Sequence, residues 1–453
     1  MGAEPGLPAS LSIVLQEPML VAPAEATENF IYFLSNLDQN VAYILRTVYF
    51  YEAREDKKNE DPANVLRDAL RKVLVHYRPV AGRLGISSDG KLNVICNDQG
   101  VLFVEGDADA TLVDITDTTT LTQFVYNVPS AKNILELPLM IVQVTRLKCG
   151  GFVVGLAMNH AVYDGIAAME FLNSWAETTR GVPISVPPYL DRSVLKHRVP
   201  FQIEFPHIEF TDIEAVSKDQ QIQLSPDVVQ YSSFCFDEQS LGALKRNLLQ
   251  EGLLKKCTTF EALTALVWRA RTKALNVPYS QQAKLLFAVN SRSRLVPPLP
   301  TGFFGNGILF TCAMVTAEDL THKSLSHAVG LVQEAIKMVD DKYMRSAIDY
   351  FEQTRARPSL TSTLLITTWS RLSLNAIDHG WGYPVHSGPV TLPEPEVVLF
   401  LSCGQERKSI KVVLGLPAAA MERFSKILRE ESLATNSSQF ENKIKELTLW
   451  DIM

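Results

Sequence analysis

Two α/β domains of similar size, joined by a long crossover, are the fold class that this sequence predicts. Three observations predict it. The chain has 453 residues, too many for one ordinary core and suited to two domains of roughly 200 residues each. In both halves, strand-like apolar segments alternate with amphipathic helical ones. Between the halves, residues 181–230 lose their apolar period and carry Pro183, Pro187, Pro188, Pro200, Pro206 and Pro226, which interrupt any regular element. The resulting division is an N-terminal domain over 1–195, a crossover over 196–230 and a C-terminal domain over 231–453.

The elements follow in order. Residues 11–16 (LSIVLQ), 43–52 (YILRTVYFYE) and 92–96 (LNVIC) read as strands. Pro62 opens a helix whose stripe is Val65, Leu66, Ala69, Leu70, Val73 and Leu74, and which stops before Pro79. Residues 139–147 and 151–158 form a strand pair around Cys149-Gly150. A helix over 166–179 follows and ends at Gly181. After the crossover, 231–237, 284–290, 307–315, 396–401 and 410–416 read as strands. Residues 240–249, 259–275, 324–343 and 417–430 read as helices. The tail from 432 onward is polar at first and is expected to be loosely attached.

Composition excludes several functions. Hydrophobic residues make up 46% and charged residues 21%, with a net charge of −7, which is globular composition. No strongly basic stretch points to nucleic acid. The N-terminal residues have no basic n-region or apolar core, so no signal peptide is expected. MGAEPG lacks the hydroxyl residue of a myristoylation signal. No run reaches the ~20 apolar residues of a membrane span. The six cysteines are scattered without a CxxC pair, so reduced thiols are expected rather than a disulfide frame or zinc site. A cytoplasmic monomer is the expectation, with the Asn436-Ser437-Ser438 sequon unused.

One stretch stands apart. NHAVYDG (159–165) follows the apolar run GFVVGLAM, so His160 sits at the end of a buried strand. There an imidazole can project into a cleft and exchange protons near neutral pH. Gly165 lets the backbone turn sharply. Asp164 can orient the histidine or brace the loop through an ion pair, and spacing does not separate these. HxxxD is also short. With 8 histidines and aspartate near one residue in 20, about 0.4 matches arise by chance. On that alone a structural histidine is at least as fair a reading as a catalytic one; a metal site with Asp164 would need the two on one helix face, but the preceding run is strand-like and no third ligand cluster stands out. A second stretch, DHGWGYPVHSGP (378–389), has glycines on both sides of Trp381. By composition it is a rigid turn between strands.

Taken together, NHAVYDG and DHGWG resemble the BAHD acyltransferases of plants, which carry HxxxD in mid-chain and DFGWG near the C-terminus. The resemblance spans nearly the whole chain. PVAGRL (79–84), AVNSRSR (288–294) and GFFGN (302–306) stand as landmarks in family order. Within the family the sequence looks closest to the feruloyl-CoA transferases that act on ω-hydroxy fatty acids and fatty alcohols.

The resemblance implies a fold of two chloramphenicol-acetyltransferase-like domains, each a mixed sheet with flanking helices, and an active site in a channel between them. It implies acyl transfer from coenzyme A to an alcohol, without a metal or a permanently bound cofactor. Acyl-CoA is the co-substrate. His160 would be the general base and Trp381 a donor to the oxyanion. Asp164, Gly165, Asp378, Gly380 and Gly382 would support the site, with Arg292 of NSR pairing Asp378. Asn290 stands where the family has aspartate, and His379 where it usually has phenylalanine. Lys255, Thr258 and Thr259, at the start of a helix, would meet the nucleotide end of coenzyme A; Thr258 or Thr259 is equally readable as a plain N-cap. Arg371 and His379 would lie on the acceptor side. Leu364, Leu365 and Ile366 would line an apolar tunnel or simply pack in the core.

Other enzyme classes lack their signatures. There is no GxSxG elbow for a serine hydrolase, and no GxxxxGK[ST] or GxGxxG for a nucleotide enzyme. Acyl transfer to a soluble alcohol or an amine, and a non-catalytic fatty-ligand carrier of the same fold, are the remaining alternatives.

Overall fold

A computed structural model of the chain describes residues 11–433, apart from 27, 116–117, 214–228, 361, 393, 395 and 405–407, together with 446–447. Most of the tail, including the sequon, therefore lies outside the described residues. The first half runs β1 (Ile13–Leu15), β2 (Met19–Val21), β3 (Phe30–Phe33), α1 (Asn36–Gln39), β4 (Ile44–Tyr51), α2 (Pro62–Val73), β5 (Arg83–Ile86), β6 (Leu92–Cys96), β7 (Val101–Ala108), β8 (Met140–Leu147), β9 (Phe152–Asn159) and α3 (Gly165–Thr179). The second runs β10 (Val229–Phe236), α4 (Glu238–Gln250), α5 (Thr259–Ala274), β11 (Gln282–Asn290), β12 (Ile308–Thr316), α6 (Ala317–His322), α7 (Leu325–Met338), α8 (Asp341–Thr354), β13 (Thr363–Thr368), β14 (His386–Pro389), β15 (Val397–Cys403), β16 (Ser409–Pro417), α9 (Ala418–Leu433) and β17 (Glu446–Leu447).

These strands make two mixed seven-stranded sheets and one small sheet. The first has the order β1-β7-β8-β9-β4-β14, with β2 also against β7. The second has the order β12-β11-β13-β15-β16-β10-β17, and β3-β6-β5 forms a three-stranded sheet. β9 is buried along its whole length, because layers cover both faces of the first sheet. Its continuous apolar run is what such a strand requires. On one face lie α2 and α3, tied by the Trp175 indole N–H donating to Leu66 O at 3.0 Å. Pro62 stands in the first turn of α2 behind the Asp61 cap, as expected of a residue with no N–H to leave unpaired.

Three features differ from the sequence reading. The helix expected over 324–343 is two helices. The first ends at Met338, and Asp340 caps the next by accepting from Tyr343 N. Strands β2, β3, β5, β7, β13, β14 and β17 were not anticipated. Of these, β14 matters most: it lies within the expected C-terminal domain yet pairs antiparallel with β4 in the first sheet.

The crossover is also pinned rather than loose. Arg198 Nε donates to Asp349 Oδ2 at 2.8 Å. His207, fully buried, bridges Glu209 Oε1 and Ser346 Oγ, both at 2.8 Å. Lys284 Nζ donates to Glu209 O and Thr211 O. The prolines keep this segment irregular, and side chains supply the hydrogen bonds that regular structure would have supplied.

Candidate active site

His160 stands where β9 ends. Its main-chain N–H donates to Tyr43 O at 2.9 Å, and its ring lies 5.1 Å from the Tyr43 ring. The chain then turns. Asn159 Oδ1 accepts from Ala161 N, and Asp164 caps α3 by accepting from Ile166 N and Ala167 N at 3.1 Å each. A Cβ on Gly165 would fall 2.6 Å from Leu372 Cδ1, so glycine lets a loop of the second half close against the turn.

Asp164 meets Arg292 in a two-pronged ion pair, at 2.7 and 2.9 Å. Gly307 N donates to the same carboxylate at 2.9 Å. Burial alone would push this carboxyl up, but Arg292 and the main-chain donors hold it below the usual carboxylate range. This corrects one expectation: Arg292 is the partner of Asp164, not of Asp378. Gly307 has no room for a side chain there, since a Cβ would fall 2.7 Å from Arg292 Nη1.

The turn opens on a narrow cavity of about 40 Å³ between the halves. From the first half it is lined by Leu45, Thr47, Tyr49, Met158, His160, Tyr163 and residues at the start of α3, and from the second by Trp369, Leu372 and Leu374. Its surface is largely apolar and aromatic. Among the residues that line it, Thr47 Oγ1, Tyr49 Oη, Tyr163 Oη and His160 Nδ1 are buried without a well-formed hydrogen-bond partner. Such orphans are rare in folded proteins, and four around one cavity single it out as a candidate site. Burial pushes the His160 imidazole below its ordinary value, against the opposing pull of Asp164, its own main chain, Asn306 and Asp38. The residue is therefore neutral at neutral pH and able to accept a proton.

The GWG stretch lies elsewhere. Trp381 packs edge-on to Phe152 at 5.3 Å, with the Lys57 ammonium 5.4 Å above its ring. Phe152 begins β9 and His160 follows its end, a run of about 25 Å at strand rise. Trp381 does not line the cavity and does not reach an oxyanion beside His160. Asp378 Oδ1 instead accepts from Gly380 N at 2.7 Å and Gly382 N at 2.9 Å. Both glycines have left-handed φ, +97° and +87°, which explains their placement. The Asp378 carbonyl receives Arg180 Nη1. His379, also expected near the acceptor, is buried between Trp175 and Tyr51. The Thr179 hydroxyl gives its one proton to Trp175 O and so accepts from His379 Nδ1 at 3.2 Å. Burial and Arg180 push this imidazole down to about 3.

The remaining expectations divide. Thr258 caps α5 in a reciprocal pair with Glu261, so its hydroxyl is committed; Lys255 is exposed and Thr259 half-buried. Phe260 in the first turn packs on Phe287 and Phe400. The start of α5 thus lies toward the strand ends that lead to Arg292 and Trp369. Arg371 is exposed between the cavity residues Trp369 and Leu372. Leu364 and Ile366 belong to the core of the second half. Sequence reasoning missed Thr47, Tyr49, Tyr163 and Trp369. The alternation Leu45, Thr47, Tyr49 on β4 was the available signal, since alternate residues share a sheet face.

A family model described as the Transferase family matches residues 11–430. The omega-hydroxypalmitate O-feruloyl transferase of Arabidopsis thaliana is 54% identical over 422 residues, covering 91% of this chain and 92% of that one. The fatty alcohol:caffeoyl-CoA acyltransferase of the same plant is 52% identical over 425 residues, covering 92% and 98%. Among solved structures, vinorine synthase superposes with a TM-score of 0.71 at 26% identity, over 95% of this chain and all of that one. The TRI101 structure from F. sporotrichioides, complexed with coenzyme A and T-2, also gives 0.71, at 16% identity over 87% and 97%, and shares the fold.

Three outcomes test this geometry. In denaturant unfolding, Arg292→Ala and Asp164→Ala are expected to be coupled by about 1–3 kcal/mol, while Arg292→Ala and Asp378→Ala add within about 0.5 kcal/mol. Trp381→Phe should keep turnover within about threefold while lowering the melting temperature; a hundredfold loss of turnover would return Trp381 to the chemistry. His379→Phe removes a group whose folded pKa lies below its unfolded one. The wild-type protein therefore loses stability as pH falls from about 6.5 toward 3, and denaturant titrations should find that slope shallower in the variant.

Proposed function

Because this chain belongs to the BAHD acyltransferases, the Transferase family, and is an acyl-CoA-dependent O-acyltransferase, we propose that it moves a hydroxycinnamoyl group, feruloyl or caffeoyl, from coenzyme A to the hydroxyl of an ω-hydroxy fatty acid or fatty alcohol. His160 is the general base. Its free nitrogen takes the acceptor's hydroxyl proton as that oxygen attacks the thioester carbonyl. The tetrahedral intermediate then collapses, the carbon–sulfur bond breaks, and the imidazolium returns the proton to the thiolate. The products are an ester and free coenzyme A. A placed base contributes about 10²–10⁴-fold. The rest comes from alignment of the two substrates and from donors to the oxyanion.

The observation that carries this reading is the cavity between the halves that His160 lines together with Thr47, Tyr49 and Tyr163. We assign an oxyanion contact and recognition of the donor's phenolic oxygens to Thr47, Tyr49 and Tyr163. The apolar walls suit a cinnamoyl ring and an alkyl chain, each methylene of which gains about 0.8 kcal/mol on burial. The nucleotide end of the donor is assigned to the start of α5, where Lys255 supplies charge and Thr259 a hydroxyl. Arg371 is assigned to the acceptor side. The fatty acceptor rests on the two Arabidopsis relatives, whose names specify such acceptors.

A panel of feruloyl-, caffeoyl-, p-coumaroyl- and acetyl-CoA against ω-hydroxypalmitate, hexadecanol, shikimate and spermidine tests the assignment. Feruloyl or caffeoyl transfer to the two long-chain acceptors is expected, and consumption of acetyl-CoA alone would overturn it. His160→Ala should lose at least about 10²-fold in kcat. The base must be neutral and its pKa is depressed, so kcat/KM should stay level from pH 8 down to about 6.5 and fall only below that.

A further inference from the structure

The turn 160–164 is clamped by a segment that the catalytic reading leaves unused, residues 304–307. Asn306 within it is fully buried. Its Nδ2 donates both to Asp38 Oδ1 and to the main-chain carbonyl of His160, each at 2.8 Å. Its main-chain N–H donates to Asp38 Oδ1 as well, at 3.1 Å. Two acceptors on one end of an amide identify that end as the NH₂ group, so Oδ1 must face the other way. It is buried there with no well-formed partner, as is His160 Nδ1. The Asn306 side chain also favours the charged form of the imidazole.

Asp38 is itself fixed. Its other oxygen accepts from Ser35 N and Oγ at 2.6 and 2.7 Å, and Arg192 Nη1 lies 2.9 Å away with both side chains completely buried. Arg192 also donates to Phe304 O at 3.1 Å and to the Val162 carbonyl. The same guanidinium therefore grips the turn that carries His160 and the segment that carries Asn306.

We propose that Asn306 is a positioning residue for the His160 base, oriented by Asp38 and Arg192. Its Nδ2 holds the histidine main-chain carbonyl and so fixes where the imidazole stands against the acceptor hydroxyl. This rests on His160 acting as the base. Of the other titratable groups facing the ring, Asp164 and Asp38 are bound to arginines. Tyr43 is pushed up to about 12 by burial, and Tyr49 and Tyr163 further still. No other group there titrates between pH 5 and 8.

The test has two arms. In Asp38→Asn, which keeps Asn306 but removes the charge that orients its amide, kcat should fall in the same direction with both KM values within about threefold; an unchanged kcat would overturn the proposal. In Asn306→Ala, kcat should fall about tenfold or more while both KM values stay within about threefold. The acid limb of kcat/KM should move to lower pH, because a side chain favouring the imidazolium is gone. An unchanged kcat and an unmoved acid limb would overturn it. Full activity in His160→Ala would instead remove the catalytic reading beneath it.

Discussion

Five residues of turn, gripped by one buried and one half-buried guanidinium ion, are the constraint on which the rest depends. Arg292 holds Asp164 at one end, and Arg192 holds Val162 O near the middle while anchoring Asp38. One clamp comes from the second half of the chain and one from the end of the first. Buried ion pairs of this kind often add little net stability over apolar packing, but removing one partner costs about 3–5 kcal/mol because a charge is stranded. The two halves therefore cannot slide past each other by even a small step without a large penalty. The arrangement gives one fixed geometry around the histidine, which a base working on a bound hydroxyl requires.

Strand β9 separates two tasks along its length. At its end, the imidazole, the hydroxyls of β4 and the loop after β13 enclose the cavity. At its start, Phe152 stacks on Tyr51 at 4.8 Å and meets Trp381 edge-on. Tyr51 Oη ties this end to Ile377 O at 2.9 Å. The GWG loop is thus a buttress for the strand that leads to His160, about eight residues of strand away from that side chain.

The fold class was readable because length, strand–helix alternation and a proline-broken middle are properties of long windows. Helices α2, α3, α4 and α5 each carried an apolar pattern of the expected period, and β4, β8 and β9 were dense in Val, Ile and aromatic residues. What escaped notice had no local signal. β14 is HSGP, with little strand propensity, and exists because β4 offers an open edge. His160 and Asp164 announced themselves through one short motif. The partner of Asp164 was misassigned because spacing cannot say which of two carboxylates an arginine 128 residues from one of them will meet. Asp38 and Arg192 meet only through the fold, with nothing local in the chain to pair them. Trp381 looked catalytic because a motif records that residues occur together, not where they sit.

The borrowed strand has a consequence for synthesis. β4 forms one side of the first sheet, and its outer neighbour is β14, residues 386–389. A chain emerging from the ribosome completes its first 195 residues long before that segment exists. At 5–20 residues per second the delay is about 10–40 seconds. During that interval a long apolar strand exposes unsatisfied N–H and C=O groups, the kind of edge that recruits other chains. The nascent first half carries that open edge until its own C-terminal third arrives to close it.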